Sequence, residues 1–259
     1  MNLREGQRPL VAAHRGSSGS APENTMAAFR MAAAAGADMI EFDVRMTGDF
    51  ELVVHHDRRL GRTSDGSGRI GDLTLRDIKT FDAGSWYSRR FRGERIPTLH
   101  EVLEEFPRSL GMNIEVKTDG ETRKGIALAE SVLRAVLEFR PPGRTESGTG
   151  PTFVSSFNHA FLRRLHMLDP SVRTGALYLR IRDGFRPASR IARRAGASVF
   201  VCSRAQLRAR HIRDARTHDL TVAVYGVNTR RDLAAVRRAG ADVVITDYPE
   251  RIIRALRSF

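Results

Sequence analysis

The feature that most constrains this chain is a regular exchange between short apolar runs and helical periodicity. Leu10–Ala13, Asp38–Val44, Met112–Val116, Thr152–Ser155, Val172–Leu177, Ser198–Val201, Leu220–Val224 and Asp242–Ile245 read as strands. Helical stretches follow them at Glu23–Ala35, Thr98–Glu105, Glu121–Phe139, His159–Leu168, Phe185–Ala195, Ala205–Thr217, Arg230–Ala239 and Glu250–Arg257. Strands that are apolar through most of their length are buried on both faces, and helical crossovers between them indicate a parallel sheet. Eight such units in 259 residues predict an α/β fold, a (β/α)8 TIM barrel, with an open doubly wound sheet as the alternative. The recurrences Ala35-Gly36-Ala37-Asp38 and Ala239-Gly240-Ala241-Asp242 mark helix-to-strand returns, with Gly just past the helix end. Gly61–Pro97 breaks the rhythm with turn residues, after a short strand at Phe50–Val54, and carries one short helix at Thr74–Thr80. Pro141–Pro151 reads as an exposed loop. The expectation is a single domain over 1–259, with an insertion at approximately 61–97 after the second strand.

Composition narrows the class. Hydrophobic residues at 41% and charged residues at 28% exclude a collagen-like or wholly disordered chain. The lone Cys202 excludes an intramolecular disulfide and a multi-cysteine zinc site. No run approaches the roughly 18 apolar residues of a membrane span, and Leu10–Ala13 is too short for a secretory core of about 7–15 residues. A reducing, cytoplasmic setting is therefore expected. Lys+Arg 43 against Asp+Glu 30 gives a net charge of +13, and all but three of the basic residues are arginines. They are spread as pairs, such as Arg58-Arg59, Arg163-Arg164 and Arg237-Arg238, without a basic tail. Such a face leaves contact with an anionic membrane open, but no nucleic-acid partner is expected from it.

In a (β/α)8 barrel the chemistry lies at the C-terminal ends of the strands. Those ends carry His14-Arg15-Gly16, Glu41-Phe42-Asp43, His55-His56-Asp57, Glu115-Val116-Lys117, Tyr225 and Thr246-Asp247. Alternation puts Glu41 with Asp43, and Glu115 with Lys117, on one face each. If both faces point into the mouth, three carboxylates converge, and a hard divalent cation such as Mg2+ or Ca2+ is the usual resolution. Imidazoles beside an all-oxygen site suit acid/base work near neutral pH. Arg15 and Lys117 suit a phosphate. Together these groups describe phosphoester cleavage.

The motifs Ala13-His14-Arg15-Gly16, Ala21-Pro22-Glu23-Asn24-Thr25, Glu41-Phe42-Asp43, His56-Asp57, Ile96-Pro97-Thr98-Leu99, Ile114-Glu115-Val116-Lys117, Val227-Asn228 and Thr246-Asp247-Tyr248-Pro249 occur in order along nearly the whole chain. In this the sequence closely resembles the glycerophosphodiester phosphodiesterase family. The resemblance implies a (β/α)8 barrel with a small insertion after its second strand. It implies hydrolysis of small-molecule glycerophosphodiesters to glycerol 3-phosphate and an alcohol, using Ca2+ or Mg2+. It makes His14 and His56 the general acid/base pair, Glu41, Asp43 and Glu115 the metal ligands, and Arg15 and Lys117 the phosphate contacts. Tyr225 stands where many members carry tryptophan, which bears on substrate preference. The spacing from Asp43 and the following Asp57 favour His56 over His55.

Simpler roles stand beside these. Pro22 and Glu23 suit the first turn of a helix, with Asn24 bracing the site. Lys117 can merely pair with Glu115. Trp86 can cover the substrate or anchor the insertion. His100, His159, His166, His211 and His218 read as surface or packing residues. Two competing functions are a lysophospholipase-D-like phosphodiesterase, with Phe50, Trp86, Tyr87 and Phe91 supplying an apolar groove, and a noncatalytic anion- or nucleic-acid-binding barrel.

Overall fold

The computed structural model describes residues 8–118, 122–139 and 150–258. Its strands are β1 (Leu10–His14), β2 (Met39–Met46), β3 (Leu52–Val54), β4 (Gly111–Val116), β5 (Thr152–Ser156), β6 (Thr174–Leu177), β7 (Val199–Ser203), β8 (Thr221–Tyr225) and β9 (Val243–Thr246). All except β3 are parallel, and β1 pairs with both β2 and β9, so eight strands close into a (β/α)8 barrel. The antiparallel β3 folds back on β2 as a hairpin. The helices are α1 (Met26–Ala34), α2 (Leu75–Ile78), α3 (Leu99–Glu105), α4 (Thr122–Phe139), α5 (His159–Leu168), α6 (Arg180–Asp183), α7 (Ala188–Ala195), α8 (Ala209–Thr217), α9 (Arg230–Ala239) and α10 (Pro249–Leu256).

The two faces of each strand divide the core. Ile40, Phe42 and Val44 of β2, with Met112, Ile114 and Val116 of β4, pack outward into the large cluster shared with the helices. The inward positions Ala12, Met39, Phe153, Leu177, Val199, Val201, Ala223, Val243 and Ile245 fill the barrel. Parity therefore carries Glu41 and Asp43 inward after Met39, and Glu115 inward after Asn113. The Ala-Gly-Ala-Asp turns have a shared logic. Gly36 takes φ 83 past the end of α1, where a side chain is disfavoured. The Asp38 carboxylate then accepts from Val11 N at 2.8 Å, and Asp242 accepts from Val222 N at 2.7 Å, each holding the neighbouring strand.

Some element boundaries differ from the sequence reading. Pro22 and Glu23 lie outside α1, because Asn24 adopts φ 59 and Thr25 is the residue that caps the helix, accepting from Ala28 N. The helix expected at Phe185–Ala195 begins at Ala188, with α6 separated from it by a turn at Gly184. The helix expected at Ala205–Thr217 begins at Ala209, after a single tight turn at Arg204–Gln206. The segment between β3 and α3 packs Leu60, Ile70, Ile78, Ala83 and Ile96 against Val53 of β3 in a small core of its own. It is tied to the loop after β1 by Tyr87 Oη, which donates to Gly19 O at 3.0 Å, and Arg90 Nη2, which donates to Ser20 O at 2.7 Å. The expected loop Pro141–Pro151 lies outside the described residues except for Gly150 and Pro151. Among the described residues, no helix is long and apolar enough to cross a membrane.

Candidate active site

Strand register assembles the acidic groups. His14 pairs alongside Glu41 across β1 and β2, and Asp43 alongside Glu115 across β2 and β4. Carboxylate oxygens of Glu41, Asp43 and Glu115 lie within 4.8 Å of one another, and all three residues are buried. Glu41 and Glu115 line a cavity of about 250 Å³ together with His14, Arg15, His56, Asn113, Lys117 and Tyr225. One half of this cavity is charged and built from β1, β2 and β4. The other half is apolar, formed by Phe157, Leu177, Val201, Tyr225 and Ile245.

Cations and amides hold the carboxylates in place. Lys117 Nζ is 2.9 Å from Asp43 Oδ1 and also contacts Glu115. Arg15 Nε is 3.1 Å from Asp43 Oδ2, while its Nη1 donates to Glu23 at 2.8 Å. Arg15 has φ 55, a bend that turns its backbone N–H onto Glu41 Oε2 at 2.9 Å. Asn24 braces Asp43 twice, with Nδ2 donating at 2.8 Å and Oδ1 accepting from Asp43 N at 3.2 Å. Burial disfavours charge on all three acids. Lys117 and Arg15 overcome this at Asp43 and hold its carboxyl well below the ordinary range. Glu41 is pushed up to about 7 by burial, reinforced by Asp43 and Glu115 and opposed by His14. Glu115 is raised by burial and by Asp43 against the pull of Lys117.

The two cavity histidines are each oriented by a carboxylate. His14 Nδ1 is 2.6 Å from Asp247 Oδ1, and Asn228 Nδ2 donates to the other Asp247 oxygen at 2.6 Å. His56 Nδ1 is 2.6 Å from Asp57 Oδ1, and Arg62 Nε donates to Asp57 Oδ2 at 2.6 Å. Arg62 also reaches Glu23, so Glu23 bridges Arg15 and Arg62 and starts no helix. Both rings thus commit Nδ1 and keep Nε2 for the cavity. Burial works against protonation of His14, but Glu41 and Asp247 raise its pKa overall; burial lowers that of His56. His55 is different. Its Nδ1 meets Asp57 O at 2.9 Å and its Nε2 meets Thr63 Oγ1 at 3.2 Å, away from the cavity lining.

The donor set fits a hard divalent cation. It consists of carboxylate oxygens alone, one from each of three buried residues and all within 4.8 Å of one another. Glu41, Asp43 and Glu115 are the residues placed to hold such an ion.

A family model described as the glycerophosphoryl diester phosphodiesterase family matches residues 14–251 of the chain. The chain belongs to that family. It is 36% identical, over 96% of its own length and 98% of the relative's, to a glycerophosphodiester phosphodiesterase of Caldanaerobacter subterraneus subsp. tengcongensis. Among solved structures it resembles an Oleispira antarctica phosphodiesterase in complex with the product sn-glycerol-3-phosphate, with TM-score 0.83, 30% identity and coverage of 96% of this chain and 97% of that one. A glycerophosphodiester phosphodiesterase from Agrobacterium tumefaciens gives TM-score 0.79 at 29% identity, covering 95% of this chain and 99% of that one.

Of the eight site residues expected from the sequence, all but Asp43 face the cavity directly; Asp43 lies behind it, against Arg15 and Lys117. The partners Asp247 and Asn228 had no assigned role, although Asp247 follows Ile245 at inward parity. The apolar wall comes from β6, β7, β8 and β9 and from Phe157. The expected groove of Phe50, Trp86, Tyr87 and Phe91 is absent from the lining. Trp86 and Tyr87 pack edge to face at 5.6 Å, Tyr87 and Phe91 at 5.8 Å, and Trp86 Nε1 donates to Ala83 O. Those rings anchor the insertion.

Proposed function

We propose that this chain hydrolyses small glycerophosphodiesters to glycerol 3-phosphate and an alcohol, with Ca2+ or Mg2+ held by Glu41, Asp43 and Glu115. The observation that carries this reading is the pair of carboxylate-oriented histidines on a cavity with three clustered carboxylates. A bound cation supplies Lewis-acid neutralisation of charge building on the phosphoryl oxygens. Arg15 and Lys117 contribute fixed positive charge to the same oxygens. His56, kept neutral by burial, accepts the proton of the attacking hydroxyl at Nε2. His14, favoured in its protonated form by Asp247 on its Nδ1, donates from Nε2 to the leaving alkoxide. The attacking hydroxyl is the glycerol 2-hydroxyl, which gives a cyclic phosphate that water then opens. Tyr225 and its apolar neighbours pack against the glycerol carbons or the headgroup.

This reading takes residues 1–259 as one catalytic domain in a cytoplasmic setting, with the insertion at 61–97 bracing the mouth. The apolar half of the cavity gives a second reading some weight, in which a lysophospholipid is the preferred diester. The test is choline release from glycerophosphocholine, a long-chain lysophosphatidylcholine and a glycerophosphocholine analogue lacking the glycerol 2-hydroxyl. Each is assayed with EDTA and after restoring Mg2+ or Ca2+. Glycerophosphocholine turnover should vanish with EDTA and return with either ion, and the deoxy analogue should stay intact. Turnover unaffected by EDTA would overturn the metal-dependent reading.

A further inference from the structure

The mouth of the barrel is edged on one side by two loops that the chemistry above does not use. Residues 178–187 follow β6 and residues 204–210 follow β7, so both lie on the rim that carries the cavity. Together they contain six arginines, 180, 182, 186, 204, 208 and 210, and one acid, Asp183. Three large apolar side chains stand out among them. Ile181 is 91% exposed, Phe185 67% and Leu179 36%. The loops meet around Phe185, where Arg180 and Arg210 sit over its ring at 4.9 and 5.1 Å from the centroid.

The exposure is built in. Tyr178 Oη donates to Gly184 O at 2.6 Å, and Leu179 N donates to Asp183 Oδ2 at 2.8 Å. Arg182 donates to Leu177 O at 2.7 Å and to Phe157 O, fastening the loop to two residues of the cavity wall. Asp183 is buried and paired with Arg182, which removes one of the six charges and leaves the other five without an acid on these loops. Arg204 is partly offset by Asp232 at 3.0 Å. What remains is a fixed apolar tip ringed by guanidinium groups.

We infer that this rim is a docking surface for an anionic lipid bilayer. Isolated exposed apolar residues are ordinary, but three on one fastened loop inside a ring of arginines match the interfacial pattern. The apolar side chains reach the boundary between headgroups and acyl chains, while the arginines meet lipid phosphates. A nucleic acid would use the arginines and leave Ile181 without a partner. Because Leu177 and Phe157 belong to both the loop's anchorage and the cavity wall, docking would turn the mouth toward the headgroup layer. This inference is independent of the metal and of the proposed proton transfers.

The test is co-sedimentation of the full chain with vesicles of phosphatidylcholine containing about one third phosphatidylglycerol, against phosphatidylcholine alone. Binding is expected only with phosphatidylglycerol, and it should weaken in about 0.5 M salt. The double variant Ile181→Ser/Phe185→Ser should lose about tenfold or more of the bound fraction. Its melting temperature and glycerophosphocholine turnover should match the parent, since neither side chain is buried. Arg180→Glu/Arg208→Glu should abolish the preference for phosphatidylglycerol. Equal binding to both vesicles, or an unchanged bound fraction in the serine variant, overturns the inference. So does retention of a short RNA with no vesicle binding.

Discussion

At His55 and His56 the chain leaves β3, and adjacent imidazoles enter opposite environments. His55 is enclosed, bonded through both ring nitrogens, while His56 lines the cavity with Asp57 on its Nδ1. His56→Ala should therefore lower kcat by about 10²–10⁴ with little change in melting temperature. His55→Ala should instead cost about 1–3 kcal/mol of stability, since it strands Thr63 and leaves a hole. Steady-state kinetics with thermal melts of both variants check this, and the reverse pattern would exchange the two assignments. Asp247 gives a second residue-scale prediction. His14 must be protonated to donate, so activity falls as pH rises through its pKa, which Glu41 and Asp247 raise against burial. Asp247→Asn removes one of those charges, so the alkaline limb of the kcat/KM profile should move to lower pH. An unmoved limb would remove His14 from the role of acid. The identities of His14, Glu41, Asp43, Glu115 and Lys117 were legible in the sequence because strand ends and motifs mark them. The partnership of His14 with Asp247 was not, because it joins residues 233 apart that only barrel closure brings together.

At the scale of elements, the apolar runs located every strand of the barrel, yet several strand ends fell one or two residues short. His14, Ser156, Ser203 and Tyr225 end β1, β5, β7 and β8, and strand-terminal residues that face the mouth are polar or amphipathic. Loop conformation was less legible still. Pro22-Glu23-Asn24 looked like a helix start, but the left-handed Asn24 spends that sequence on bracing Asp43. The turn after β1 is equally particular. Gly16 has φ 79, and a Cβ there would lie 2.6 Å from the Ala28 carbonyl carbon, a backbone atom that cannot step aside. Gly36 has φ 83 but open space around it. Gly36→Ala should cost only the left-handed penalty of about 1 kcal/mol. Gly16→Ala should cost more, about 2–3 kcal/mol, and should also lower kcat/KM by displacing His14 and Arg15. Denaturant melts and kinetics of the two alanine variants separate the effects. Equal losses would mean that the β1 turn tolerates the side chain.

For the whole molecule, the net charge of +13 says less than where opposite charge is gathered. The chain is basic, the arginine-rich loops 178–187 and 204–210 lie on one rim, and three carboxylates sit buried in the mouth. Without a cation, burial and its acidic neighbours raise Glu41 to about 7, so the folded state keeps a proton there that the unfolded chain releases near 4.5. That contribution to stability is complete below about pH 4.5 and is lost as pH rises through about 7. A divalent cation competes for the same oxygens and needs them deprotonated. Millimolar Mg2+ or Ca2+ should therefore raise the melting temperature little near pH 5 and progressively more toward pH 8. Glu41→Gln cannot release the proton, so its metal-free stability should be flatter across this window and its gain from the cation smaller. Thermal melts of both proteins over pH, with EDTA and with each ion, decide the matter. A gain that is the same at every pH, or the same in Glu41→Gln as in the parent, would mean that the ion acts somewhere other than Glu41.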